Sequence, residues 1–402
     1  MTPGRRWVSG TGPRDGTRAI SSASSCHQGR RGSHTTIGAH TMDSTLLRMV
    51  VMTTMAAVLA ACGSTTEPRP TPTDAPVTGL RPPMAVEIGN FPPYPEPDLP
   101  DPVADSLQAV LEEAVERGTV RGIVAAVIVA DAGSWVGAAG VDPQGAGLTP
   151  DTRVETASIA KTITAAEVLR LVEEGKLGLD DAARAHLPPA LARFDLNDAT
   201  VRGLLGMRSG LSDPVGPLGE CGATADQQLE ALPSPHSRPG TTIEYANINY
   251  LLLGEILEHV THREFWSVVH GDVLDHPGLE NLAFTLTDAR AADGCGVETD
   301  AATLARWGYE LYGGFVLSDA SSLRAMVDFR ASTTAWGAST SPIQTPPVPT
   351  TAPASGHGGW GTFVTRLVAF PRTGVVVSVQ ANADSLEQIT PIVAALRDAA
   401  TL

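Results

Sequence analysis

Strand-forming text stands at both ends of this chain's body, with a long, mainly helical stretch between. Near the front, Ile123–Ala130 and Trp135–Val141 are two strand-like runs joined at the turn signal Asp131-Ala132-Gly133. Near the back, Phe363–Phe370 and Val375–Gln380 flank Pro371-Arg372-Thr373-Gly374 and read as a hairpin. From Ser158 to about residue 330 the pattern is helical, with long loops around 212–240 and 283–300. The two strand pairs are expected to join in one antiparallel sheet. The amphipathic run Val103, Leu107, Val110, Leu111, Ala114, Val115, stopped by Gly118, and the closing run Leu386–Leu396 supply helices for one face. The helical insert sits beside the sheet, leaving a cleft between them. The expected class is α/β of the α+β type. The Ser/Thr/Pro/Ala-rich stretch 331–356 reads as a flexible excursion, and there is no internal repeat.

The body is read as residues 103–402. Residues 1–61 hold seven of the 28 basic side chains and two of the 44 acidic ones. Positions 1–41 lack hydrophobic period and read as a disordered extension or an overlong gene start, Met42 and Met49 being alternative beginnings. Residues 42–61 run from Arg48 into apolar Met49–Ala61, which is too short for a membrane span and fits an export signal. Its end, Leu59-Ala60-Ala61-Cys62, resembles a bacterial lipobox. Cys62 would then be the acylated mature N-terminus, on the outer face of the cytoplasmic membrane. The proline-rich segment 62–102 reads as an extended tether. Whole-chain net charge is −16, and the mostly basic leader makes the remainder more acidic still, which argues against nucleic acid or anionic lipid as partners. Of the four cysteines, Cys221 and Cys295 lie in the body. They are either a disulfide or two separate buried thiols, and an exported chain favours the bridge.

The chain has only two lysines, and one of them, Lys161, follows Ser158 by three positions. Thr156 or Ala157 precedes a helical pattern (Ile159, Ile163, Val168, Leu171, Val172) that ends at Gly175. Ser158 therefore falls at a helix N-terminus, where free N–H groups favour developing negative charge. Lys161 lies one turn on, on the same face, within reach of the hydroxyl. That is the arrangement of an activated nucleophile. Two further motifs stand where a serine hydrolase needs partners: Tyr245-Ala246-Asn247 ahead of the helical run Ile248–Val260, and His357-Gly358-Gly359 opening the C-terminal strands.

On these three motifs, in this order, the chain resembles the serine β-lactamase and penicillin-binding protein superfamily over roughly residues 104–400. The branch is that of class C β-lactamases, D-alanyl-D-alanine carboxypeptidases and related esterases. Leu204-Leu205-x-x-x-Ser209-Gly210-Leu211, Asn249–Gly254, Pro277-Gly278-Leu279 and Leu304–Trp307 are supporting echoes. The resemblance implies Ser158 as nucleophile, with Lys161, Tyr245 or the two together as general base. It implies Asn247 as the residue orienting Lys161 and a substrate amide, His357 and Gly359 as the opposite substrate-binding wall, and the backbone N–H groups of Ser158 and Trp360 as the oxyanion hole. His357 stands where many relatives have lysine, Met207-Arg208 where they often have His-Thr, and the rim after His357 is shortened.

The expected function is an envelope-anchored serine hydrolase forming an acyl-enzyme on Ser158. It is carboxypeptidase-like or esterase-like, with weak β-lactamase activity at most, and its substrate is a small molecule or peptidoglycan-derived. The alternative is a catalytically silent lipoprotein that keeps the fold to bind cell-wall fragments or a protein. No cofactor is implied. The groupings His259/His262 and His270/Asp272/Asp275/His276 lack a third anchoring ligand and read as structural, so no metal is expected.

Overall fold

The computed structural model describes residues 84–216, 221–327 and 363–401, together with the backbone of three short strands between 334 and 356. The leader, Cys62 and most of the proposed tether lie outside the described residues. Among the described residues no helix is long and apolar enough to cross a membrane.

The two ends of the body meet in one sheet. Strands β1 (Gly122–Val129) and β2 (Gly133–Gly140) form the front hairpin, β9 (Val364–Phe370) and β10 (Val375–Ala381) the back one. β1 pairs antiparallel with β10, from Ile123 opposite Ala381 to Val129 opposite Val375. The segment between 331 and 356 differs from its reading as a flexible excursion. Its short strands β6 (Thr334–Ala335), β7 (Ala338–Ser339) and β8 (Ala354–Gly356) extend the sheet, giving the order β2-β1-β10-β9-β8-β7-β6.

Alternation in β1 feeds two cores, and all eight of its residues are buried. Ile123, Ala125, Val127 and Val129 face the terminal helices α1 (Asp101–Glu116) and α9 (Leu386–Ala399). Val124, Ala126 and Ile128 face the larger core shared with the helical insert. α1 buries Val103, Leu107, Leu111 and Ala114 on one stripe, and a Ser385–Gln388 capping box starts α9. On the insert side stand α2 (Ala160–Glu173), α5 (Ile248–Thr261) and α7 (Ala301–Gly313). A second sheet of three short strands, β3 (Val154–Glu155), β5 (Val297–Thr299) and β4 (Ala283–Phe284), was not foreseen in the sequence.

The tether reading also needs correction. From Met84 the proline-rich segment lies against the body. Val86, Phe91 and Leu99 are buried, Val86 N–H donates to Pro371 O at 2.8 Å, and Tyr309 Oη donates to Pro92 O at 2.8 Å. Apolar residues interleaved among the prolines supply the burial that a solvated spacer lacks.

Acidic density on the insert yields a stability prediction. Glu255 on α5 lines a surface cavity whose wall also holds Asp226, Asp288 and Arg290. Burial pushes its carboxyl up to about 7, and Glu258, Asp288 and Asp226 add to the rise. A carboxyl whose folded pKa is raised stabilises fully below its unfolded value, and that contribution is lost as pH rises through 7. Glu255→Gln is therefore expected to raise unfolding stability by roughly 1–3 kcal/mol at pH 8 and by a small fraction of that at pH 5. Urea unfolding at the two pH values checks this, and an equal effect at both would refute it.

Candidate active site

The turn before α2 sets the position of Ser158. Residues Ala157–Ile159 form one 3₁₀ turn leading into α2, and Ala157 adopts φ +47°, a left-handed conformation that costs alanine of order 1 kcal/mol. Gly294 backs this turn. It has φ +114°, and a Cβ there would meet Ala157 O at 2.4 Å and Ser158 N at 3.1 Å, so only glycine fits. Buried hydroxyls pin α2 to its neighbours. Trp307 Nε1 donates to Thr162 Oγ1 at 2.8 Å, and Thr164 Oγ1 donates to Ala292 O at 2.7 Å. On the sheet side, Thr365 Oγ1 of β9 donates to Glu155 O at 3.0 Å.

The structure brings Ser158, Lys161, Tyr245 and Asn247 together. Ser158 Oγ lies between Lys161 Nζ at 3.0 Å and Tyr245 Oη at 2.7 Å. Lys161 is fully buried and also donates to Asn247 Oδ1 at 2.9 Å and to the backbone carbonyl of Asp293. Its Nζ sits 5.4 Å from the Tyr245 ring centre and 5.7 Å from that of Tyr250. Two of its three partners are acceptors only. A neutral amine would spend both N–H bonds on Asn247 Oδ1 and Asp293 O and aim its lone pair at the serine hydroxyl. Tyr245 is partly exposed, on the open side of the cluster.

Two acidic residues that the sequence reading did not single out complete the frame. Asp213 accepts from the backbone N–H of Asn247 at 2.9 Å and of Ile248 at 2.8 Å, capping α5 from outside and fixing the Tyr245-Ala246-Asn247 segment. Its position two residues after Gly210-Leu211 is the only sequence signal it left. Ser209, in one of the supporting echoes, donates through Oγ to Asn249 Oδ1 at 2.5 Å, so the same loop grips α5 twice. Asp213→Ala is expected to cost roughly 1–2 kcal/mol of stability through the lost cap. It should also lower kcat about 10–100-fold through misplacement of Tyr245 and Asn247. Steady-state kinetics beside a urea melt checks this, and full activity in the variant would refute the bracing role.

The second residue is Asp293. Burial pushes its carboxyl up to about 6 against the pull of Lys161, while the Cys295 N–H, donating to its Oδ1 at 3.2 Å, opposes the rise. Cys295 itself is disulfide-bonded to Cys221.

His357 and Gly359, read in the sequence as the opposite substrate-binding wall, and Trp360, read as the second oxyanion donor, lie outside the described residues. His270, Asp272, Asp275 and His276 do not converge, and Asp272 instead pairs with Arg170 and Arg263. No group able to hold a metal occurs among the described residues.

A family model described as Beta-lactamase matches residues 107–401. The chain belongs to that family, within the superfamily of serine hydrolases that also holds the penicillin-binding proteins. Protein flp of Staphylococcus aureus (strain NCTC 8325 / PS 47) is 28% identical over 165 residues, covering 39% of this chain and 33% of that protein. A D-aminopeptidase from Brucella anthropi is 31% identical over 163 residues, covering 38% of this chain and 30% of the other. The chain thus spans about a third of the length of the curated relatives it matches. The solved structure of a D-amino acid amidase from Ochrobactrum anthropi SV3, complexed with L-phenylalanine amide, superposes with a TM-score of 0.61 at 18% identity. That likeness covers 74% of this chain and 98% of the amidase, and it is one of fold.

Proposed function

We propose that this member of the Beta-lactamase family is an envelope-anchored serine hydrolase that forms an acyl-enzyme on Ser158. Its substrates are small acyl amides and esters, with D-configured amino acid amides and peptides the first class to test. One observation carries the reading: Ser158 Oγ lies within hydrogen-bond distance of both Lys161 Nζ and Tyr245 Oη, at a helix N-terminus.

Attack by Oγ on the substrate carbonyl requires loss of the serine proton, which the Lys161–Tyr245 pair accepts. Tyr245, on the open side, returns that proton to the departing amine or alcohol. Water then cleaves the ester, with the same pair removing its proton. The Ser158 backbone N–H supports the oxyanion, and by resemblance Trp360 supplies the second donor. The D-aminopeptidase and D-amino acid amidase among the similar proteins favour an amide of a D-amino acid over an efficient β-lactamase reaction. The anchor rests on the Leu59-Ala60-Ala61-Cys62 sequence alone. The assembled cluster favours turnover over the silent binder.

Intact-protein mass spectrometry after incubation with D-amino acid amides, D-Ala-D-Ala peptides, short esters, β-lactams and a fluorophosphonate tests the reading. A mass increment mapping to Ser158 with at least one of them is expected. Absence of any adduct, fluorophosphonate included, would sink it.

A further inference from the structure

We propose that the Cys221–Cys295 disulfide is a positioning element for Lys161, so that acylation of Ser158 depends on the thiol–disulfide state of this pair. The inference rests on the acyl-enzyme reading above and adds a control to it.

The geometry runs through one short turn. Lys161 is held by Ser158 Oγ, Asn247 Oδ1 and Asp293 O, and only the last of these comes from the segment that carries Cys295. The sequence of that segment is Asp293-Gly294-Cys295-Gly296. Both glycines have positive φ, +114° and +66°, so the turn is built from the residues with the greatest backbone freedom. Upstream, Ala292 O is fixed by the Thr164 hydroxyl, and downstream, Val297 O accepts from Thr156 N–H at 2.8 Å. Between these anchors, Cys295 is the one side chain with a covalent tie to another part of the fold, 74 positions away in sequence. The Cys295 N–H in turn holds the Asp293 carboxyl. Gly294 packs under Ala157 O and Ser158 N, so a displaced turn disturbs the nucleophile as well as the base.

The bridge is also reachable. Cys221 is exposed and Cys295 is buried, so a thiolate arriving from solvent meets the Cys221 side first. A dithiol reagent delivers two electrons and two protons. The S–S bond breaks, Cys221 and Cys295 become thiols, and the reagent leaves as its own cyclic disulfide. With the tie gone, Asp293 O is free to drift from Nζ. A misplacement of about 1 Å at a catalytic group costs on the order of 100-fold in rate. The dissociation constant for a small ester, read from saturation of the pre-steady-state acylation rate rather than from KM, is expected to stay within about twofold.

The test uses the full chain, oxidised and after dithiothreitol, with alkylation mapping to confirm that Cys221 and Cys295 are the thiols released. The pre-steady-state acylation rate with p-nitrophenyl acetate should fall about 10- to 100-fold on reduction, recover on reoxidation, and be low and dithiol-insensitive in Cys221→Ala/Cys295→Ala. The pH at half-maximal acylation should shift in the reduced protein, which a purely structural staple would not produce. Hydrogen exchange gives a readout independent of turnover: peptides covering 156–164 and 289–299 should exchange faster on reduction while the sheet stays protected. If the oxidised protein acylates with no probe, the acyl-enzyme reading fails and exchange still decides this one. An unchanged acylation rate, unchanged exchange in those two peptides, or loss of the whole fold on reduction would each overturn the proposal.

Discussion

Ser158→Ala is expected to lower kcat/KM for any substrate of this chain by about 10⁴-fold or more, equivalent to at least roughly 5 kcal/mol of transition-state stabilisation. Ser158 Oγ is the atom on which Lys161 and Tyr245 converge, and on the proposed mechanism its removal leaves both without a proton to take. Folding should be spared, because Lys161 keeps Asn247 Oδ1 and the Asp293 carbonyl, and the Ala157 turn is shaped by Gly294 rather than by the serine side chain. The urea midpoint should therefore move by no more than about 1 kcal/mol equivalent. Paired measurement of turnover and stability checks both halves. Comparable adduct formation in wild type and variant would place the chemistry elsewhere.

Lys161→Met and Tyr245→Phe are each expected to lower the acylation rate about 10³-fold, and the double variant should be no worse than the slower single by more than about threefold. The reason is that, on the proposed mechanism, the two share one proton. Both groups contact the same oxygen, and Lys161 Nζ lies over the Tyr245 ring. Removing either breaks the relay, and removing the second then takes away little. Multiplicative losses, near 10⁶-fold in the double variant, would instead mean that the two act in separate steps. Methionine suits the lysine position because the site is fully buried and takes an unbranched chain of similar length.

The arrangement of the sheet was legible because β1 is an uninterrupted apolar run and β10 is broken only by Ser378 and Gln380, and buried strands advertise themselves in that way. The contact between Ser158 and Lys161 was legible because the two residues are one helical turn apart, a distance that sequence spacing encodes directly. Tyr245 and Asn247 were placed by resemblance, since nothing local says that a loop 87 positions away folds over Ser158. Asp213 and Asp293 escaped for a related reason. One acts by accepting from another segment's backbone and the other through its own carbonyl, so neither role leaves a side-chain pattern. The tether was misjudged because prolines mark an absence of helix without saying whether the extended chain is solvated or packed. Val86, Phe91 and Leu99 were the residues that decided it. The β3-β5-β4 sheet went unseen because strands of two or three residues carry no period.

The pairing of β1 with β10 carries a cost in time. Ile123 finds its partner Ala381 258 residues later, so the first hairpin is synthesised long before the strand that completes it. Until then β1 offers an unpaired edge between two apolar faces, a template on which copies of the chain can stack. Completion of the sheet must wait for β10, and its slow step is the search for a distant edge. A chain of this design depends, between ribosome and native state, on whatever keeps that hairpin apart from its siblings.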